Sequence, residues 1–254
     1  MRLLLSLRSI DTSQRQETNY YYHLQGFIYR LLEQNSHFSQ LHNKKGYKFF
    51  CFSNIFSPSG VNDSTDRRYI IISSPSKDLL RHVGSILKKI KETKNSISIG
   101  NLQLIIDDTR IFETELKPPF TLITGTPIII RISKERYQKF NIETKYPYTY
   151  VYWRKEYPLE MFTRQLEENL YAKYAEFTGR EVASEHELPI INKLTFKKQI
   201  STRINIHDTE QIVIGSLWEF SFDNELNSEL LQFGLDCGLG ERNSMGFGFM
   251  NLKR

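Results

Sequence analysis

The first half of the chain alternates between apolar patterns of two different periods. Leu3, Leu5 and Leu7 recur at every second position, which predicts a strand with one buried face. Apolar stripes with the period of a helix predict α-helices over residues 24–32 and 79–90. Apolar runs bounded by polar or turn-forming residues predict further strands over residues 47–56, 68–74 and 101–116. The resulting order, β-α-β-β-α-β, is that of a ferredoxin-like unit.

A similar order of elements follows Pro118 and Pro119. Residues 120–132 are rich in strand-forming side chains, and residues 162–177 carry apolar positions at helical spacing. The pattern then predicts a hairpin, a last helix and a last strand, over residues 193–206 with 210–222, 226–237 and 247–253. This partial repeat in the order of elements indicates a second unit of the same type.

We therefore predict an α+β fold made of two tandem ferredoxin-like (RRM-like) domains. The boundary is placed at the two prolines, which gives domains of residues 1–117 and 118–254. Residues 133–157, rich in Lys, Tyr and Pro, show no clear period and are predicted to form a long insertion or linker.

A glycine-rich loop separates the last predicted helix from the last predicted strand. Its glycines bracket one basic residue, Arg242, and are Gly238, Gly240, Gly246 and Gly248. Glycine allows positive φ, and successive exposed N–H groups can form an anion-binding concavity. The loop could therefore bind phosphate with Arg242, or it could be a left-handed helix cap at Gly238 and a tight turn. Its spacing matches neither a P-loop nor a dinucleotide-binding loop.

This loop, with the pattern G-x-G-x-x-x-x-x-G-F-G after a helix, resembles the glycine-rich signature of the CRISPR-associated RAMP superfamily. Residues 22–29, 41–50 and 121–128 resemble the first helix, the catalytic segment and a middle strand of the Cas family numbered six. The resemblance spans essentially the whole chain. It implies two ferredoxin-like domains and an endoribonuclease that cuts CRISPR repeat RNA into guide units.

Composition permits an RNA partner without requiring one. The chain has 34 basic and 29 acidic residues among 254, a net charge of +5. Its two cysteines, Cys51 and Cys237, have neither disulfide nor zinc-site spacing, and no carboxylate–histidine cluster has metal-ligand spacing. We predict no metal and no cofactor. With no signal peptide and no apolar run near ~20 residues, we expect a cytoplasmic protein that does not bind a membrane.

RNA carries its own nucleophile, the 2′-hydroxyl, so cleavage needs only a general base, a general acid and a fixed cation. The products would be a 2′,3′-cyclic phosphate and a 5′-hydroxyl. His42 is the best acid–base candidate because histidine titrates near neutrality and Lys44, Lys45 and Lys48 follow it closely. His37 competes for the acid role, and a solvated loop histidine is the alternative interpretation of His42.

The family resemblance assigns roles to three residues. It implies His42 as the general acid, Tyr29 as the general base or the group that orients the 2′-hydroxyl, and Lys48 as the stabiliser of the phosphorane. Tyr29 lies off the centre of its helix's apolar stripe, so its hydroxyl can be exposed. Because an ordinary tyrosine pKa is about 10, orientation is the safer role. Helix-edge packing of Tyr29 and a solvated strand position for Lys48 are the alternatives.

Further basic residues are predicted to contact RNA phosphates. Lys193 and Lys197 share one face of a predicted strand and Arg203 follows them, although a solvated strand face explains them nearly as well. Lys44, Lys45 and the glycine-rich loop complete the predicted RNA-binding set. Effector-complex subunits or a second copy of the chain are possible further partners. The alternative functions are a non-cleaving RNA-binding subunit of an effector complex and an adaptor without an RNA partner.

Overall fold

A computed structural model describes residues 1–11, 20–57, 67–144, 146, 148–180, 190–191, 193–206, 209–223 and 227–253. The chain forms two compact units. The first comprises Met1–Thr114 and Ser244–Gly246, and the second comprises Glu115–Asn243 and Phe247–Arg254. The division of the chain into folding domains after residue 117 stays a prediction.

The first unit is a five-stranded antiparallel sheet with helices packed on it. Its elements are β1 (Arg2–Ser9), α1 (Tyr20–Leu32), α2 (Ser36–Ser39), β2 (Cys51–Phe52), β3 (Arg67–Ser73), α3 (Lys77–Glu92), β4 (Ile97–Ile99) and β5 (Leu102–Phe112). The strand order is β2-β3-β1-β5-β4, and every pairing is antiparallel. Apart from the edge strand β4, this is the predicted ferredoxin-like arrangement.

The core of the first unit explains these elements. Leu3, Leu5 and Leu7 of β1 are fully buried, as their alternation predicts, and belong to one apolar cluster with Leu24 of α1 and Val83 of α3. Burial of such side chains is the main stabilising contribution to this packing, at about 1.5–3 kcal/mol for each. The helix–sheet contacts fix the orientation of α1, which carries Tyr29.

Two details of the first unit differ from the sequence prediction. The strand predicted over residues 47–56 is reduced to Cys51–Phe52, and β4 was not predicted. The reason for the shortening is local, because Gly46 and Phe49 have φ of 91° and 53° and cannot continue an extended strand. Residues 41–50 therefore form an irregular segment beside α1.

The second unit repeats the arrangement. Its elements are β6 (Phe120–Thr124), β7 (Arg131–Ser133), α4 (Lys134–Lys139), β8 (Tyr150–Tyr152), α5 (Leu159–Thr178), β9 (Leu194–Ile206), β10 (Thr209–Phe222), α6 (Ser228–Cys237) and β11 (Met250–Leu252). The strand order is β11-β6-β10-β9, and β7 pairs with β8 in a separate two-stranded sheet. The predicted α+β fold with two ferredoxin-like units is confirmed.

Three predictions for the second unit are wrong in detail. The supposed linker over residues 133–157 contains α4 and β8. The last strand is only Met250–Leu252. Gly238 is not a left-handed helical cap, because its φ of 89° and ψ of 149° place it in an extended conformation open mainly to glycine. None of the helices in the described ranges is long and apolar enough to cross a membrane.

Candidate active site

An open cavity of about 690 Å³ lies on the first unit. One wall is α1, and the others are the turn after α2 and the turn that joins β4 to β5. Tyr29 and His42 both line it, together with Arg30. Two of the three residues predicted to carry catalysis therefore meet in one concave site, although different segments supply them.

Tyr29 is more buried than its position on the helix predicted. The residue is only 6% exposed, although it lines the cavity. The ring of Phe50 packs edge-on at a centroid distance of 5.8 Å and the ring of His42 at 4.9 Å. The hydroxyl forms hydrogen bonds with the side chains of Ser244 and Gln25. Tyr29 is thus held in a fixed position at the cavity wall.

The protonation of Tyr29 follows from that burial. Loss of solvent around the phenol raises its pKa above the ordinary value, and the hydrogen bonds with Ser244 and Gln25 oppose the shift only in part. The neutral phenol is therefore the form present near pH 7. Such a group can donate a hydrogen bond but is a poor base.

His42 lies in the turn after α2 and is exposed. Its Nδ1 lies 3.2 Å from Oδ1 of Asn43, so the tautomer with hydrogen on Nδ1 satisfies that contact. Nε2 is then left to exchange a proton with a ligand in the cavity. His37, the competing candidate, packs against Phe38 at a ring-centroid distance of 5.0 Å. His42 is the candidate acid that the structure brings together with Tyr29.

Lys48 holds the turn that carries His42. Its Nζ donates hydrogen bonds to the carbonyl oxygens of Leu41, His42 and Lys44. These contacts match the three N–H groups of an ammonium. Burial, and then the charge of Lys44, lower the pKa of Lys48. This geometry supports a positioning role, and direct stabilisation of the phosphorane by Lys48 stays a prediction.

Sequence reasoning missed two polar residues at this site. Arg30 is exposed at the cavity, and its Nη2 lies 3.5 Å from the carbonyl oxygen of Ser98. Gln25 lines the cavity and contacts Tyr29. The sequence could have indicated Gln25, because it lies four residues before Tyr29 and residues four apart on a helix lie on one face. Arg30 supplies a guanidinium suited to phosphate where the resemblance pointed only to Lys48.

The glycines of the loop have the predicted positive φ, but several of the loop's backbone N–H groups bond within the protein. Gly238, Gly240, Gly246 and Gly248 have φ between 69° and 89°. However, the N–H groups of Gly238, Leu239, Glu241 and Gly248 bond to the carbonyls of Gly234, Gly248, Ile129 and Pro127. These amides are not available to form the predicted anion-binding concavity. Contact of the four glycines with RNA stays a prediction, and the bonded N–H groups of Gly238 and Gly248 do not support it.

A buried lysine organises the loop instead. Lys173 of α5 is only 1% exposed, and its Nζ donates to the carbonyls of Gly238 and Gly240 and to Oδ1 of Asn243. The amide of Asn243 donates in turn to the carbonyls of Leu239 and Phe247. The loop is therefore closed by side-chain bonds to its carbonyl groups.

The predicted phosphate-binding cations of β9 each face an acid. Lys193 pairs with Asp223, Lys197 with Glu219 at 2.9 Å and Arg203 with Glu210 at 3.7 Å. Exposed ion pairs of this kind are weak, so an RNA phosphate could displace the carboxylates. Lys44 lies 4.9 Å from the ring centre of Phe49, and Lys45 is exposed. RNA contact by these five residues stays a prediction.

Comparisons with known proteins find relatives of one family, and two of these relatives align along 99% of this chain. The family model described as "CRISPR associated protein Cas6, C-terminal" matches residues 113–252. A Methanocaldococcus jannaschii protein named "CRISPR-associated endoribonuclease Cas6 2" is 30% identical over 266 residues, which cover 99% of either chain. "CRISPR-associated endoribonuclease Cas6" of Haloferax mediterranei is 26% identical over 260 residues, 99% of this chain and 93% of that one.

Solved structures show the same fold. One titled "CRISPR associated protein Cas6" has a TM-score of 0.72 at 24% identity and covers 100% of this chain and 99% of its own. Another, titled "An RAMP protein binding different RNA substrates", has a TM-score of 0.69 at 21% identity and covers 100% of both chains. At these identities the likeness bears on the fold alone.

Proposed function

The chain belongs to the Cas6 family, and from that premise we propose that it is an endoribonuclease that processes CRISPR repeat RNA. Its relatives from two organisms carry the name CRISPR-associated endoribonuclease. The observation that carries the proposal is the meeting of Tyr29, His42 and Arg30 at one open cavity. An acid, an orienting donor and a cation assist cleavage of RNA through its 2′-hydroxyl, with water as the base.

The proposed reaction is a transesterification. The 2′-oxygen attacks the adjacent phosphorus and its proton leaves to water in the open cavity. The bond from phosphorus to the 5′-oxygen breaks, and His42 protonates that oxygen. The products are a 2′,3′-cyclic phosphate and a 5′-hydroxyl. Neutral Tyr29 orients the reacting group by donating a hydrogen bond, while Arg30 stabilises the phosphorane and Lys48 holds the turn of His42.

Cleavage is expected to persist in excess EDTA, because side chains supply both the proton and the cation in this mechanism. A single 2′-deoxy substitution 5′ of the cut should abolish cleavage, because it removes the nucleophile. The assay follows repeat RNA under single-turnover conditions and analyses the product ends. Loss of activity in EDTA that Mg²⁺ restores would overturn the mechanism. Binding without products would instead favour a non-cleaving RNA-binding subunit of an effector complex.

Replacing Tyr29 by phenylalanine should slow cleavage about 10-fold, the effect of one lost hydrogen bond. Burial raises the pKa of Tyr29, so its neutral form persists as the pH rises through neutrality. The rate ratio of wild type to variant should therefore stay constant from about pH 6 to about pH 9, below an ordinary tyrosine pKa. A ratio that grows about tenfold per pH unit would identify Tyr29 as the general base.

Effector subunits and a second copy remain predicted partners beyond RNA.

A further inference from the structure

A second open cavity, of about 700 Å³, lies on the second unit and is lined by tyrosines. Tyr148, Tyr150 and Tyr152 occupy alternate positions at and before β8, so their side chains point to the same face of the strand. Tyr157 and Arg154 also line the cavity. The proposed reaction uses none of these residues.

The tyrosine rings are placed to receive planar groups. Tyr148 is 48% exposed, and its ring centroid lies 5.9 Å from that of Tyr146, which is 55% exposed. Tyr150 and Tyr152 are half-buried, with centroids 5.6 Å apart and planes at 77°. Ile212 of β10 is 56% exposed and adds an apolar contact. Exposure of several aromatic rings to water costs free energy, and such rings can stack against other planar groups.

Positive charge surrounds these rings. The guanidinium of Arg131 lies 4.9 Å from the ring centre of Tyr150, although the same group pairs with Glu241. Burial raises the pKa of Tyr150, but its hydrogen bond with Tyr152 and the charges of Arg242 and Arg131 lower it overall. The charge of Arg242, the basic residue of the glycine-rich loop, therefore acts on Tyr150.

Arg154 adds an exposed guanidinium at the rim of the cavity. In the part of the chain that the structure describes, no carboxylate forms an ion pair with it. Glu143 also lines the cavity and is the one acidic side chain among the described lining residues.

We propose that this cavity binds an unpaired segment of RNA, with bases stacked on Tyr148 and Tyr150 and phosphates held by Arg154. Tyrosines and arginines outnumber aliphatic side chains here, which favours stacked bases over an apolar peptide helix. Stacking tolerates any base, so the site would recognise a single strand by its flexibility and charge rather than by its sequence. The inference rests on RNA being the substrate, as proposed above.

Photocross-linking tests the location directly. The probe is an oligouridine of about 12 nucleotides, within the range of single-strand site sizes, that carries 5-iodouridine. After irradiation of the full-length protein, we expect mass spectrometry to find the cross-link on Tyr148, Tyr150 or Tyr152. Cross-links confined to other aromatic residues would overturn the proposal.

Binding measurements test the stacking. Tyr148→Leu should weaken the affinity for single-stranded RNA about 5- to 50-fold, whereas Tyr148→Phe should retain it, because phenylalanine keeps the aromatic face. Phe177→Leu removes another partly exposed ring of the same unit, outside the cavity, and should have no effect. Fluorescence anisotropy gives the dissociation constants, and circular dichroism checks that each variant is folded.

The outcomes separate this inference from the proposed function. If the wild type cleaves repeat RNA but Tyr148→Leu binds single strands normally, the stacking site is wrong and the endoribonuclease proposal is unaffected. If the wild type does not cleave but the cross-link falls on these tyrosines, the stacking site is supported and the endoribonuclease proposal is wrong.

Discussion

Replacement of His42 by alanine is expected to slow cleavage of repeat RNA about 10²- to 10⁴-fold, the usual contribution of a general acid. The leaving 5′-oxygen would then depart without a proton from the protein. RNA affinity should stay nearly unchanged, since phosphate contacts supply most of it. Single-turnover cleavage at saturating protein concentration, with the dissociation constant measured on RNA blocked by a 2′-deoxy nucleotide, separates the two quantities.

The matched controls for this variant are two other histidines. His37 is not among the described residues that line the cavity of Tyr29 and His42, so His37→Ala should cleave at close to the normal rate. His23 lines the same cavity as His42. His23→Ala therefore tests whether loss of any imidazole from the cavity is enough to slow cleavage. A normal rate for His42→Ala would remove His42 from the mechanism, and a slow His37→Ala would transfer the role to His37.

The strands and helices of both units follow from local pattern, which is why the sequence predicts them well. The alternation of Leu3, Leu5 and Leu7 depends only on the period of a strand, and their complete burial agrees with it. Tyr29 shows where such inference ends. Its angle on the helix was correct, but Phe50 and Ser244, which contact it, come from other parts of the chain. The exposure of a side chain depends on tertiary contacts, and the periodicity of the sequence gives no information about them.

Two missed features had signals in the sequence. Lys173 follows Leu170 by three residues and precedes Phe177 by four, so it lies on the apolar stripe of α5, where a charge must find buried acceptors. Tyr148, Tyr150 and Tyr152 alternate with the period of a strand inside the supposed linker. Both were overlooked because lysine and tyrosine are common on surfaces. The turn of His42 had no comparable signal, since the carbonyl contacts of Lys48 depend on backbone geometry.

Replacement of Gly248 by alanine is expected to destabilise the second unit by more than about 4 kcal/mol, a size reached only by severe packing faults. A Cβ atom there would lie 1.8 Å from the carbonyl oxygen of Leu239 and 2.8 Å from Nδ2 of Asn243. Backbone atoms cannot move aside as a flexible side chain can. We expect the urea midpoint of the variant to fall sharply, or the protein to be recovered unfolded.

Gly179 provides the matched control for Gly248, because its φ of 68° is nearly the same as the 70° of Gly248 and nothing lies within 4 Å of its Cβ position. Gly179→Ala should cost only the left-handed strain of about 1–2 kcal/mol. The difference between the variants therefore isolates the steric term. Equal losses would show that backbone conformation alone explains the glycine at 248. A much larger loss for Gly248→Ala would mean that close packing of the loop demands glycine there, whether or not this stretch touches RNA.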